Sequence, residues 1–214
     1  MAMHLTHRWL GKGLDFQEGL EIQKQAVQSI LDGKAGDQFL SLEHAPVYTI
    51  GRTRDQSSLG DDTSMLPHPV VEINRGGQAT YHGPGQLIGY PVLDLQPLGK
   101  DLHAYIRAIE EALILACGKY GVAATRRDGL TGVWVENRKL ASIGVGVRKW
   151  ISMHGFAINL NKESLTGFLS ITPCGLDGVT ITSLESESGK KIDSKEFANC
   201  CAEQLSVVLR ALRK

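Results

Sequence analysis

The chain has 214 residues, 42% of them apolar, and a formal net charge of zero. That length fits one domain, 1–214, with a sizeable core, and the apolar share excludes a disordered chain. The balanced charge speaks against a nucleic-acid protein, and no run reaches the roughly 20 apolar residues of a membrane span, so a soluble cytoplasmic protein is expected.

The first long element is an amphipathic helix over 15–31. Phe16, Leu20, Ala26, Val27, Ile30 and Leu31 form its apolar stripe, and Gly33 stops it. Short strands are predicted at 38–42 and 47–50, then a polar loop over 51–69, then a strand at 70–74. Residues 88–95 read as a further strand and 101–120 as a second helix. Three successive strands follow at 132–136, 139–147 and 150–160. The turns at Asn137-Arg138 and Arg148-Lys149 join them as hairpins. A short helix is expected at 164–171 and a last one at 194–212, with Ser194 as its N-cap. Strands and helices mix without strict alternation, which predicts an α+β fold with a mixed, largely antiparallel sheet packed with helices. Arg52, Arg54, Arg126, Arg127, Arg138, Arg148 and Lys149 fall near loops, where they read as scattered solvated charges or as a local basic patch.

The densest signal lies in Arg75-Gly76-Gly77-Gln78-Ala79-Thr80-Tyr81-His82-Gly83-Pro84-Gly85-Gln86. Glycine lets another molecule approach the main chain closely. Here it is combined with polar side chains at a strand end, so the segment reads as a binding loop. Four cysteines occur without a Cys-x-x-Cys pair, and the histidines are dispersed, so neither a disulfide framework nor a metal site is expected. Cys117, Cys200 and Cys201 lie in predicted helices among apolar neighbours and read as packing residues.

Cys174 differs. It stands between Pro173 and Gly175 in a non-regular stretch, where a side chain can be held out of the core. A thiol acts as thiolate, so it needs a partner that takes its proton or stabilises the anion. His82 and His154 are open as that partner, and so is Lys139, which starts a strand. Alternation along that strand would put Lys139 on one face with Ala141, Ile143 and Val145, opposite Leu140, Ser142 and Gly144.

The glycine loop, Lys139-Leu140-Ala141-Ser142-Ile143-Gly144, His154-Gly155-Phe156-Ala157-Ile158-Asn159-Leu160 and Pro173-Cys174-Gly175 together resemble the lipoyl(octanoyl) transferases, in the same order and over nearly the whole chain. The resemblance implies the biotin/lipoate protein ligase fold. It implies transfer of an octanoyl group from octanoyl-acyl carrier protein to a lysine of lipoyl domains, those of 2-oxo acid dehydrogenase E2 subunits and the glycine cleavage H protein. It makes Cys174 the nucleophile that carries the acyl thioester and Lys139 the group that tunes it or shuttles its proton. Arg75, Gly76, Gly77, Gln78, Ala79, Thr80, Tyr81 and His82 would line the substrate site, with Ser142, Ile143, Gly144, Gly155, Phe156 and Ala157. Glycines 76, 77, 144 and 155 would leave room for the acyl tail. No cofactor or metal is implied, and a monomer is expected. An ATP-dependent lipoate or biotin ligase of the same fold is the alternative, since it shares the glycine loop and a lysine. A non-catalytic lipoyl-domain or acyl-binding module is the third reading.

Overall fold

The computed structural model describes residues 5–51, 59, 63–75, 78–171 and 179–212. Its strands are β1 (Thr6–Trp9), β2 (Gln38–Leu42), β3 (Val47–Ile50), β4 (Val70–Glu72), β5 (Thr80–His82), β6 (Gln86–Val92), β7 (Thr125–Arg127), β8 (Leu130–Val135), β9 (Arg138–Arg148), β10 (Ile151–Asn159) and β11 (Thr180–Ile181). Its α-helices are α1 (Phe16–Leu31), α2 (Leu102–Lys119), α3 (Leu184–Ser188) and α4 (Ser194–Leu212).

The strands form two sheets. The larger runs β1-β2-β6-β10-β9-β8-β7, with β11 added beside β9, and the smaller runs β4-β3-β5. In the larger sheet only the β1–β2 and β11–β9 pairings are parallel. The α+β, largely antiparallel expectation is borne out. The β9–β10 hairpin is the spine, with an unbroken register from Ile151↔Arg148 to Ile158↔Ala141.

Alternation along β2 and β6 divides the core. Phe39 and Leu87 join the cluster under α2 and α4, whereas Leu40, Leu42 and Ile88 join the cluster under α1. A third cluster, with Tyr48, Ile50, Tyr81 and Phe168, packs the smaller sheet against a 3-10 segment, Lys162–Ser170. The predicted helix at 164–171 is thus a 3-10 turn series. Asp15 caps α1 by accepting from the amides of Gln17 and Glu18. At α4 the cap is not Ser194. Asp193 Oδ1 accepts from the Glu196 amide at 2.9 Å, while the buried Ser194 hydroxyl donates to Glu43. Glu43 also accepts from the Gly85 amide at 2.9 Å. This buried carboxylate therefore joins the start of α4 to the glycine loop. No helix among the described residues is long and apolar enough to cross a membrane.

Candidate active site

A cavity of about 460 Å³ opens where the two sheets meet. Thr80 and His82 line it from the smaller sheet, Arg75 and Gln78 from outside its strands, between β4 and β5, and Lys139, Ser142, Ile143, Gly144, Gly155, Phe156 and Ala157 from the β9–β10 hairpin. Segments far apart in sequence thus meet around one space of a size usual for small-ligand sites. Two residues expected there face elsewhere. Ala79 and Tyr81 belong to the cluster with Tyr48 and Phe168. The cause is that residues 80–82 are not loop but strand β5, paired with β3. Alternation sends Thr80 and His82 to the cavity and Tyr81 to the core.

The cradle is held by side-chain hydrogen bonds. Arg75 Nη2 donates to the carbonyl and the hydroxyl of Thr49, both at 2.9 Å. His82 Nδ1 lies 2.8 Å from Gln86 Oε1 and its Nε2 lies 3.3 Å from Thr49 Oγ1. His44 bridges the Leu14 carbonyl and the Tyr90 hydroxyl at 2.9 and 2.7 Å. Burial holds the imidazoles neutral. It pushes His82 down to about 3, helped by the Arg75 charge, and His44 and His154 down to about 4. Thr80 Oγ1 is buried and has no hydrogen-bond partner among the described residues. A buried hydroxyl on a cavity wall is a donor waiting for an acceptor.

Lys139 is buried, with 5% of its surface exposed. That excludes a solvated hairpin lysine. Its Nζ lies 5.4 Å from the ring centroid of Trp134. The strict alternation expected of this strand fails at its start. Val133 pairs with Ala141 but Trp134 pairs with Lys139, so Leu140 is an extra residue opposite β8. Leu140 and Ala141 consequently both join the same core cluster. The carbonyl of Lys139 accepts from the Thr182 amide at 2.9 Å, and Ile181 of β11 pairs with Lys139.

Gly155 does not leave room for a ligand. A Cβ there would lie 2.2 Å from the Gly89 carbonyl oxygen and 2.6 Å from Pro91 Cδ, so the missing side chain admits β6. One residue earlier, His154 has φ +57° within β10, and its amide donates to Gln23 Oε1 of α1 at 2.9 Å. A left-handed non-glycine residue in a strand stores strain, of order 1–3 kcal/mol, that the surroundings must over-determine. It faces the cavity.

The model of the lipoyl protein ligase A/B catalytic domain matches residues 15–206. The octanoyltransferase of Geotalea uraniireducens is 50% identical over 179 residues, which are 84% of this chain and 81% of that one. This chain belongs to the octanoyltransferases of the lipoyl protein ligase A/B family. Its fold is wider than that branch. A lipoate-protein ligase A bound with ATP superposes with a TM-score of 0.73 at 14% identity, over 98% of this chain and 86% of the ligase. The biotin protein ligase of Aquifex aeolicus, with biotin and ATP, gives 0.60 at 14% identity, over 97% and 72%.

Among the octanoyltransferase signature residues expected at the site, Gly76, Gly77 and Cys174 lie outside the described residues. Cys117, Cys200 and Cys201 are packing residues, as expected. Burial pushes the Cys117 thiol up to about 12 and raises the other two, which disfavours their thiolates. The motifs carry no sign of the apolar wall, where Leu102 and Ile106 of α2 and Leu130 after the β7–β8 turn close the cavity. Phe16 at the start of α1 also lines the cavity outside any motif. Each carried only the signal of an ordinary core residue in an amphipathic pattern. Arg126 and Arg138 do not build a basic patch, because Arg126 is paired with Glu110 and Glu111, and Arg138 with Glu136 and Glu187.

Proposed function

We propose that this single catalytic domain, 1–214, takes the octanoyl group of octanoyl-acyl carrier protein onto Cys174 and passes it to a lysine of a lipoyl domain. The donor is a thioester, so it is already activated. The Cys174 thiolate adds to its carbonyl, and the tetrahedral intermediate expels the carrier's thiolate. The acceptor amine then adds to the Cys174 thioester and the Cys174 thiolate leaves. The Lys139 amine takes the proton of the Cys174 thiol and gives it to the carrier's departing thiolate; in the second step it takes the proton lost by the acceptor amine and gives it to the Cys174 thiolate. The first exchange is thioester for thioester, near balance, and the amide formed in the second drives the sequence forward. ATP has no step in it.

One observation carries this reading: a buried lysine from the resemblance's own motif stands on a cavity shared with the cradle residues. The chain re-enters the sheet after residue 178 as β11, directly against Lys139. Thr80 Oγ1 is placed to donate to a carbonyl oxygen that enters the cavity. The apolar wall of Leu102, Ile106 and Leu130 suits an alkyl tail.

The decisive experiment is intact-mass measurement after incubation with octanoyl-acyl carrier protein and no ATP. An octanoyl adduct is expected on the wild type and none on Cys174→Ser. An unmodified wild type that transfers acyl groups only when ATP is added would instead support an adenylate-forming ligase. A Cys174→Ser variant with unchanged behaviour would leave a binding module.

A further inference from the structure

A directed line of hydrogen bonds runs from the cradle to β11. Arg75 Nη2 donates to Thr49 Oγ1 at 2.9 Å. The Thr49 hydroxyl donates to His82 Nε2, 3.3 Å away. His82 Nδ1–H donates to Gln86 Oε1 at 2.8 Å, Gln86 Nε2 to Asn159 Oδ1 at 2.9 Å, and Asn159 Nδ2 to the Thr182 carbonyl at 3.0 Å. All six residues are buried.

The direction is fixed at both ends. A guanidinium nitrogen only donates and a carbonyl only accepts. Between them each hydroxyl, ring or amide must accept on one side and donate on the other. His82 fits as the neutral ring with its proton on Nδ1. A second proton would set a donor at Nε2 against the Thr49 hydroxyl, whose own hydrogen would then lose its acceptor. Buried groups in such a line have no water to fall back on, so breaking one link leaves a donor or acceptor unmet.

The far end matters because β11 is short. It has two residues, paired with Arg138 and Lys139. The Thr182 amide donates to the Lys139 carbonyl, and the Thr182 carbonyl is the atom that Asn159 holds. Asn159 itself does not line the main cavity, whereas Lys139 does.

We propose that Asn159, backed by Gln86, is a positioning residue for acyl transfer: its amide ties β11 to the cradle and so keeps the backbone of Lys139 in register with the bound acyl group. The proposal rests on the acyl-transfer reading for its kinetic arm only. Losing the link lets β11 slip and moves the Lys139 amine, without touching the wall on which the donor's tail lies.

The test compares wild type with Asn159→Ala, and with Gln86→Asn alone and combined with Asn159→Gln. The combined exchange keeps two amides in the line and their summed length. Octanoyl transfer from octanoyl-acyl carrier protein and amide hydrogen exchange of Thr182 are both measured. For Asn159→Ala, kcat is expected to fall about tenfold or more with the donor KM within about twofold, and Thr182 to exchange about tenfold faster. Gln86→Asn should behave likewise, and the double variant should recover most of both readouts. Wild-type kcat and protection in Asn159→Ala would overturn the proposal. So would a rise in KM alone, or a loss of kcat with Thr182 protection intact. If Asn159→Ala does not fold, the Gln86→Asn single and double variants decide, and a double variant no better than the single overturns the proposal. A wild type that moves no octanoyl group would sink the function reading instead, and the exchange data would still test the line.

Discussion

The two sides of the cavity are held by different forces. On the β9–β10 side the wall is fixed by backbone: a continuous antiparallel register, and strands close enough that Gly155 has the Gly89 carbonyl in place of a side chain. On the cradle side the strands are three or four residues long, and the fixing is done by side chains, with Arg75 on Thr49, His82 on Gln86 and Glu43 on Gly85. A wall made by backbone resists changes of charge and fails on added volume. A wall made by buried polar side chains tolerates little change in proton count or donor direction.

Lys139 sits where the two regimes meet, on the rigid side but with its backbone carbonyl tied to β11. Its replacement should therefore give the largest effect on rate and a small one on structure. Lys139→Ala is expected to slow octanoyl transfer about a thousandfold, the range of a lost general acid–base group. Its circular dichroism should stay that of the wild type. Turnover near wild type at every pH would remove the role assigned to Lys139 in moving the Cys174 proton.

The second prediction is a volume test on the rigid wall. Gly155→Ala places a Cβ 2.2 Å from a backbone oxygen that cannot swing aside. β6 or β10 must move, at about 2–3 kcal/mol, read as a fall in unfolding free energy in urea. The same substitution should also lower activity, since Gly155 borders the cavity. A variant as stable as the wild type would show that the hairpin wall is softer than its register suggests.

The same contrast explains what the sequence revealed. The helices α1, α2 and α4 and the hairpin β9–β10 are long enough for periodicity to show, and their predicted spans overlap the observed ones closely. The strands β1, β5, β7 and β11 have two to four residues each. Partners distant in sequence hold them, and no local pattern announces that. Thr80–His82 read as loop because glycines surround it. The motif residues Arg75, Thr80, His82, Lys139 and Ser142 were legible through their resemblance and do line the cavity. Ala79 and Tyr81 were not separable from them until the pleat of β5 divided the segment. Leu102, Ile106 and Leu130 were illegible as site residues because an apolar cavity wall and a core have one sequence signature.

The last and smallest effect tests the polar side through pH. His44 is held near 4 by burial against an ordinary value of 6.5, with the Leu14 carbonyl and the Asp15 charge partly opposing the shift. A base whose pKa is depressed on folding binds fewer protons folded than unfolded. Its contribution to stability is therefore fully present above about pH 6.5 and is lost as pH falls toward 4. At pH 5 that loss is about 2 kcal/mol for one such histidine. His82 and His154 act in the same direction. Removing one of the three should flatten the acid limb without abolishing it. His44→Gln is expected to lose about 2 kcal/mol less than the wild type between pH 7 and pH 5 in urea unfolding, whatever its stability at pH 7. Parallel limbs for the two proteins would mean that His44 is protonated without cost in the folded state. The polar side would then tolerate a proton as readily as the backbone-built wall does.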